Sequence, residues 1–169
     1  MFCCRYDWAT LKGASMKFSG ELIVKAPREE VFDRLKDAQF FAACVDGVRD
    51  LKEVDPTHYT ASFETKIAYI KFKFEVAVEM TRAERPVAIE AKIDGKPHGI
   101  VGRLSAVATS SFQDKDGGTA IQYGIEASLT GRLGSIGQPV LKAKAKEMER
   151  QFVQNLRNRL QTNVEEAAS

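Results

Sequence analysis

Hydrophobic residues recur at a helical period in only one long segment of this chain, between Gly131 and Leu160. The apolar positions there are spaced three or four residues apart, which stacks them on one side of an α-helix. They are Leu141, Ala145, Met148, Phe152, Leu156 and Leu160. Charged residues such as Lys146, Glu149 and Arg157 lie mostly on the opposite side. The pattern therefore predicts a long C-terminal helix that packs one face on a core and gives the other to water.

The segment between His58 and Thr130 has instead the two-residue period of antiparallel strands. In its clearest strand, from Ile70 to Met80, every second residue is apolar and most of the others are charged, so one face must point to a core. Further strands are predicted at 48–54, 59–65, 86–93, 100–112 and 119–129, with turns at 55–57, 94–97 and 114–118. The residues expected to point inward after Pro86 are Val87, Ile89, Ala91 and Ile93.

A first strand from Phe18 to Val24 precedes two short helices. Pro27 followed by two glutamates is typical of a helix start, and a helix is predicted at 28–36. A second helix is predicted at 38–45, ended by the turn residues Asp46-Gly47. This order predicts an α+β fold, in which a curved antiparallel sheet of about seven strands wraps around the long C-terminal helix. A curved sheet that grips a single helix leaves a gap between them, and this gap is the main functional feature that we predict.

The size and composition of the chain fit one globular domain. Its 169 residues are 44% hydrophobic and 28% charged, with a net charge of +2, which argues against disorder and against a nucleic-acid-binding protein. We assign the domain to residues 16–162, between an N-terminal extension at 1–15, whose place in the native chain is open, and a short polar tail at 163–169. The sequence has neither an apolar run long enough to span a membrane nor the apolar core of a secretory signal.

No catalytic or metal-binding set can be assembled from the sequence. His58 and His98 fall in predicted loops without a carboxylate motif, so we interpret them as surface residues. The glycines at 131, 134 and 137 lack the Gly-Lys-Ser/Thr ending of a phosphate-binding loop, and close strand-to-helix packing is the favoured interpretation. We predict no enzymatic activity, no cofactor and no metal site.

The three cysteines, Cys3, Cys4 and Cys44, form no disulfide framework and no recognisable metal-binding spacing. A reduced thiol inventory of this kind favours a cytoplasmic protein. A location at the inner face of the membrane is a further option that depends on the basic helix face described below. Cys44 has no neighbouring cation that would activate its thiol, so we expect it to behave as a small hydrophobic residue.

Three segments give the chain a resemblance to a known family. The first joins Met16-Lys17-Phe18-Ser19-Gly20-Glu21 to Ala26-Pro27-Arg28-Glu29-Glu30-Val31-Phe32, and the second is Ala42-Ala43-Cys44-Val45-Asp46-Gly47-Val48. The third is Gly118-Thr119-Ala120-Ile121-Gln122-Tyr123 followed by Gly131-Arg132-Leu133-Gly134-Ser135-Ile136-Gly137. In these segments the chain resembles the carbon monoxide dehydrogenase G-subunit (CoxG) family, of the START-like or Bet v 1-like (SRPBCC) helix-grip superfamily, over residues 16–160. Asp46 departs from the family, which usually has a proline there.

The resemblance implies an accessory protein of a molybdenum-containing CO dehydrogenase or a related hydroxylase. It also implies an internal cavity that binds a hydrophobic molecule, such as a quinone or an isoprenoid lipid. Two alternatives stay open: a membrane-docking or partner-docking module without a ligand, and a cyclase-type or isomerase-type enzyme of the same superfamily. The candidate for peripheral membrane contact is the basic helix face, although its charges fit a solvated surface better. This face consists of Lys142, Lys144, Lys146 and Arg150.

Strand alternation and the resemblance together indicate which residues would line the cavity. Tyr123 is expected to be the polar group that orients a ligand, since such cavities are mostly apolar with a few polar groups. The other expected lining residues are Phe41, Cys44, Phe63, Phe72, Phe74, Ile89, Leu104, Ile136 and Val140. The aromatic residues among them fit a solid core as well as a cavity wall, so the sequence leaves open whether the cavity is filled.

Overall fold

The computed structural model describes residues 13–168, with side chains described for residues 15–160. Most of the predicted N-terminal extension, with Cys3 and Cys4, lies outside the described residues, as does Ser169 at the end of the predicted polar tail. The strands are β1 Gly13–Val24, β2 Val48–Asp55, β3 His58–Ile67, β4 Ile70–Glu84, β5 Ala88–Pro97, β6 Gly102–Lys115 and β7 Gly118–Gly131. The helices are α1 Arg28–Lys36, α2 Ala38–Cys44, a short 3-10 helix Arg132–Ile136 and α3 Gln138–Ala168.

The seven strands form one antiparallel sheet in the order β1-β7-β6-β5-β4-β3-β2. The sheet is curved, and the predicted helix-grip architecture, with two short helices after the first strand and one long C-terminal helix, is confirmed. Strand β1 pairs with β7, so the first and last strands of the chain are neighbours. Strands β1 and β2 are therefore the two edges.

The two short helices begin at signals that are visible in the sequence. Helix α1 follows Pro27 and carries two glutamates in its first turn, where they face the positive end of the helix dipole. Its inner side buries Val31 and Phe32 completely. Helix α2 is capped by Asp37, whose carboxylate accepts a hydrogen bond of 3.0 Å from the backbone N–H of Gln39.

The buried apolar residues form two separate clusters, one toward each end of the space between sheet and helix. Cluster 1 joins β1, β7, α1 and the C-terminal part of α3, and its largest members include Phe32, Phe112, Leu156 and Leu160. Cluster 2 joins β3, β4, β7 and the start of α3, and it contains Ile67, Phe72, Phe74, Leu129, Leu133 and Leu141. No described residue belongs to both clusters, so the two ends of the space are packed independently.

The structure corrects three predictions about local structure. The predicted turn at 94–97 is a continuation of β5, because Gly95 pairs with Val76 on one side and with Leu104 on the other. Val87, expected to point inward, lies in the turn before β5 and is exposed, since strand pairing begins only at Ala88. The predicted helical segment from Gly131 to Leu160 becomes an α-helix only at Gln138, because Gly131 and Gly137 have positive φ angles of 67° and 97°.

Candidate functional site

The centre of the concave sheet face carries apolar residues that belong to neither cluster. Strand register places them in two neighbouring rows of cross-strand partners. The first row runs from Phe18 on β1 to Ala91 on β5, and the second runs from Ala127 on β7 to Val78 on β4. We call these residues the central band: Phe18, Ile125, Ala108, Ala91, Ala127, Ala106, Ile93 and Val78. Every one of them keeps some solvent exposure, and Ile125 is 38% exposed. Apolar residues under a helix are therefore left incompletely covered.

Small side chains leave space above the centre of the central band. Four of its eight members are alanines, and they lie next to one another on β5, β6 and β7. Ala106 pairs with Ala127 across β6 and β7, and Ala108 pairs with Ala91 across β6 and β5. Larger residues at these positions would fill the space beneath the helix, as Phe72 and Phe74 do in cluster 2.

Helix α3 lies over the central band and is anchored at both ends. Its apolar stripe is confirmed, because Leu141, Leu156 and Leu160 are buried in the two clusters. Between them, Ala145 and Met148 are half-buried and belong to neither cluster. Because the helix joins the two clusters on either side of the central band, we infer an apolar groove between the middle of the helix and this band.

A tyrosine and a glutamate join the sheet to the helix on the β1 side of this groove. The hydroxyl of Tyr123 on β7 donates a hydrogen bond to a carboxylate oxygen of Glu149 on α3. The pKa of Tyr123 rises to about 12, because partial burial, the hydrogen bond and the nearby negative charge all disfavour the phenolate. Since the hydroxyl proton is directed at Glu149, the pair presents mainly acceptor oxygens, and a ligand group that reaches it would have to donate a hydrogen bond.

The position of the Tyr123 ring depends on Gly20, its cross-strand partner on β1. A Cβ atom at residue 20 would lie only 2.6 Å from Cζ of Tyr123, much closer than atoms can pack. Glycine therefore gives the ring the space in which it crosses the edge of the sheet toward α3.

A cleft of about 460 Å³ opens beside this pair, between the edge strand β1 and helix α3. Its walls include Leu22, Tyr123, Glu149, Arg150, Val153 and Arg157. The guanidinium and carboxylate groups make this cleft polar, in contrast to the apolar groove.

On the other flank of α3, an asparagine ties the helix to the end of α2. The side-chain amide of Asn155 donates to the backbone carbonyl of Cys44 at 3.0 Å and to a carboxylate oxygen of Asp46 at 3.3 Å. Asp46 stands where related sequences were expected to have proline, and it gives the turn a direct contact with α3. Cys44 itself is fully buried, and desolvation raises the pKa of its thiol to about 11.

The structure distributes the ten predicted cavity residues over both ends of the groove instead of gathering them in one wall. Cys44, Ile89 and Tyr123 belong to or pack against cluster 1, at one end. Phe63, Phe72, Phe74, Leu104 and Ile136 belong to or pack against cluster 2, at the other end. Phe41 and Val140 are more exposed than the rest, and Phe41 packs its ring against Phe152 of α3.

Sequence reasoning missed two features of the groove. The alanines of β6 were not singled out, although their alternation with Ser105, Val107 and Thr109 is a visible signal for an inward-facing row of small residues. Glu149 was expected on the solvent side, but it lies close enough to the edge of the apolar stripe to turn toward Tyr123. A helix residue at the border of the stripe can face either way, and only the position of the sheet decides it.

Other candidate sites from the sequence do not come together. His58 lies at the start of β3 and contacts Asp55, whereas His98 follows β5 at the opposite end of the sheet and contacts Glu75. Across the part of the chain that the structure describes, no three His, Cys, Asp or Glu residues group as a metal site. Within the same residues, no helix combines the length and the apolar character needed to cross a membrane.

The family model for the G subunit of carbon monoxide dehydrogenase (CoxG) matches residues 20–161, which is most of the chain and includes all of the central band except Phe18. The chain belongs to the CoxG family. The resemblance noted in the sequence is thereby confirmed. No curated protein sequence is significantly similar to this CoxG-family chain.

Solved structures place this CoxG-family member in the helix-grip fold. A conserved protein from Geobacillus kaustophilus is 23% identical, with a TM-score of 0.79 over 87% of this chain and 96% of that one. Ara h 8.0201 is 11% identical, with a TM-score of 0.62 over 88% of this chain and 99% of that chain. The Zhui aromatase/cyclase from Streptomyces sp. R1128 is 13% identical, with a TM-score of 0.65 over 89% and 96% of the two chains. At these identities the similarity establishes the fold alone.

Proposed function

We propose that this protein binds an apolar small molecule in the groove between the central band and α3. The observation that carries the proposal is the incomplete burial of the central band, which is apolar, lies under a helix and is packed by neither cluster. Covering it with a ligand would contribute about 2.5 kcal/mol for each 100 Å² of apolar surface removed from water.

The shape and chemistry of the groove favour a flat or chain-like hydrophobic ligand, such as a quinone or an isoprenoid lipid. The alanine floor is broad and even, which suits a planar ring or a flexible apolar chain better than a bulky globular molecule. Tyr123 and Glu149 provide a polar contact at one side. For a quinone-type ligand, this acceptor-rich pair fits the hydroxyl groups of the reduced form, which can donate hydrogen bonds.

Membership of the CoxG family supports an accessory role beside a molybdenum-containing CO dehydrogenase or a related hydroxylase. In this role the protein would hold the apolar molecule for the partner enzyme without carrying out chemistry itself. Co-purification of a tagged full-length chain with such an enzyme tests the association. Absence of the enzyme from the purified complex, under conditions in which both are expressed, would contradict it.

Ligand binding is tested first by native mass spectrometry of freshly purified full-length protein, followed by solvent extraction of any bound molecule. We expect a retained apolar molecule that is released by the solvent. Binding of added decylubiquinol, the reduced form whose hydroxyl groups can donate hydrogen bonds, is then compared between the wild type and two variants, Ala106→Trp in the groove and Val107→Trp on the outer sheet face. We expect Ala106→Trp to weaken binding at least tenfold and Val107→Trp to leave it unchanged.

The same pair of variants distinguishes an open groove from a packed one. In a packed core the tryptophan at residue 106 would cost about 1–3 kcal/mol of unfolding free energy through overpacking. In an open groove it fills existing space, so the two variants should have similar stability. A protein that never retains or binds an apolar molecule, or one that binds it equally in both variants, would refute the proposal.

A further inference from the structure

The polar cleft between β1 and α3 contains two arginines whose charges are not balanced by a bonded carboxylate. Arg150 and Arg157 both line this cleft. Among the residues that the structure describes, neither forms an ion pair or a side-chain hydrogen bond. In contrast, Arg82 and Arg85 each pair with a carboxylate at 2.9 Å. The guanidinium groups of the cleft are therefore open to water or to a ligand.

The two carboxylates that line the cleft already have partners within the protein. Glu21 accepts hydrogen bonds of 3.3 Å from Gln122 and from Lys115, one on each oxygen. The hydrogen bond from Gln122, followed by the contact with Lys115, lowers the pKa of Glu21 and keeps this carboxylate ionised. Glu149 accepts the hydrogen bond from Tyr123. The negative groups of the cleft are thus satisfied internally, whereas the positive groups are not.

Helix α3 presents the donors of the cleft along one side. Residues 150 and 157 are two helical turns apart, so they share a face and lie about 10 Å apart along the axis. Gln154 lies between them and also lines the cleft, and its amide can donate hydrogen bonds. This row of side chains offers donors over a length that suits a small elongated molecule.

The inner lining of the cleft is apolar and rigidly supported. Leu22 belongs to cluster 1, and Val153 and the ring of Tyr123 pack against that cluster. The exposed arginines lie at the outer rim. The volume of about 460 Å³ is typical of a site for a small molecule. The cleft therefore combines an apolar surface with cations that lack a partner.

We propose that the polar cleft binds a small organic anion, whose carboxylate or phosphate group is held by the two guanidinium groups while its apolar part lies against Leu22 and Val153. A guanidinium can donate two parallel hydrogen bonds to either kind of anionic group. The cleft shares no lining residue with the central band. The proposal is therefore independent of the apolar ligand in the groove.

A nuclear magnetic resonance titration of the full-length protein tests the proposal with three probes of similar shape. They are benzoate, phenyl phosphate and the uncharged benzamide. We expect both anions to shift the amide signals of Leu22 and Val153 and to bind more weakly as salt is added. Benzamide should bind about tenfold more weakly than benzoate, because it offers no anionic group to the arginines. Tighter binding of phenyl phosphate than of benzoate would indicate a phosphorylated ligand, and the reverse order would indicate a carboxylic acid.

Arginine variants locate the binding site. Arg150→Gln and Arg157→Gln should each weaken the binding of both anions about fivefold and leave that of benzamide unchanged. Arg49→Gln and Arg132→Gln remove exposed arginines outside the cleft, so they are matched controls and should bind the anions like the wild type. Ala106→Trp, which fills the groove, should also leave anion binding unchanged, so failure of the groove proposal would not affect this test.

Several results would overturn the proposal. They are the absence of binding by both anions, equal affinity for benzamide and benzoate, and an equal loss of affinity in the control and cleft variants. Loss of anion binding in Ala106→Trp would overturn it as well, because the probes would then lie in the groove.

Discussion

Tyr123 on the next-to-edge strand and Glu149 on the long helix are linked by a hydrogen bond that crosses the border between sheet and helix. The bond lies where the apolar groove meets the polar cleft beside β1. It therefore fixes the helix against the sheet at the edge of cluster 1, beside the groove.

Replacing Tyr123 by phenylalanine removes the donor and leaves a half-buried carboxylate without this partner. We expect the free energy of unfolding to fall by about 1.5 to 2 kcal/mol, the lower part of the range for hydrogen bonds to charged groups. Urea unfolding measures the change, and Tyr69→Phe at a fully exposed site is the control. If Tyr123→Phe is as stable as the control, the bond does not hold the helix.

The same variant has a spectroscopic signature. The pKa of Tyr123 is about 12 in the folded protein, above its ordinary value of 10.0. The tyrosinate absorbance of the wild type should therefore include a late phase near pH 12, which Tyr123→Phe lacks. Because the folded pKa is raised, the corresponding stability is present below pH 10 and is lost as the pH rises toward 12.

Replacing Gly20 by alanine tests the close approach of Tyr123. The added methyl group would overlap the tyrosine ring, and we expect a loss of about 1–3 kcal/mol from overpacking. Gly124 offers a matched control, because a Cβ atom there would lie 3.3 Å from the hydroxyl of Thr109 and 3.8 Å from the backbone carbonyl oxygen of Phe18. Gly124→Ala should unfold at a clearly higher temperature than Gly20→Ala. Equal stability of the two variants would mean that the ring has room to move aside.

Titration of His58 reports on the turn between β2 and β3. Its Nδ1 lies 2.8 Å from a carboxylate oxygen of Asp55, and this hydrogen bond raises the pKa of His58 and lowers that of Asp55 to about 2. The raised histidine pKa contributes stability below about pH 6.5 that is lost as the pH rises through the folded value. The lowered aspartate pKa contributes stability above pH 3.8 that is lost as the pH falls toward 2.

In Asp55→Asn the pKa of His58 should fall, because the charged partner is gone while the acceptor oxygen of the turn is kept. Proton NMR of the imidazole ring measures it directly. Asp116→Asn, in the β6–β7 turn, is the control and should leave the titration unchanged. A His58 titration that is the same in all three proteins would rule out the pairing in solution.

Cys44 should react slowly with alkylating reagents while the protein is folded. Desolvation raises its thiol pKa from 9.0 to about 11, so the thiolate population at a given lower pH is reduced roughly a hundredfold, besides the loss of access. The measurement uses iodoacetamide on Cys3→Ser/Cys4→Ser, which leaves Cys44 as the remaining thiol. The alkylation rate of Cys44 in the folded variant is compared with the rate in the same variant unfolded by urea. Equal rates would show that α2 opens readily.

The periodic parts of the sequence predicted the fold well, because a helix or strand that packs on a core must carry its apolar residues on one face. Helix α1 was predicted at its observed bounds, and the alternation of apolar and charged residues fixed the faces of β4. Turn residues were a weaker guide. Asp94-Gly95-Lys96-Pro97 has turn composition, yet it pairs on both sides because β4 and β6 extend past it and supply partners.

The groove was harder to predict than the fold, since incomplete packing produces no periodic pattern or motif in the sequence. Phe72 and Leu104 look like cavity residues by their size, but large residues fill space, and both pack at the end of the groove. Space is left by small residues instead. Ala106 and Ala108 could be recognised as part of such a patch only after strand register had aligned them with Ala127 and Ala91. The orientation of Glu149 likewise depends on where the edge of the sheet lies, and the sequence of the helix alone does not indicate that position.

Because a gap separates the two clusters, α3 packs against the core on either side of a middle segment that neither cluster supports. No helix residue between Leu141 and Glu149 belongs to either cluster, so the amide groups there should open and exchange with solvent faster than those near Leu156. A molecule lying in the groove would press against this span and slow its exchange. The middle of the helix would thereby report occupancy of the groove as a change in local motion, without any change in the position of its ends.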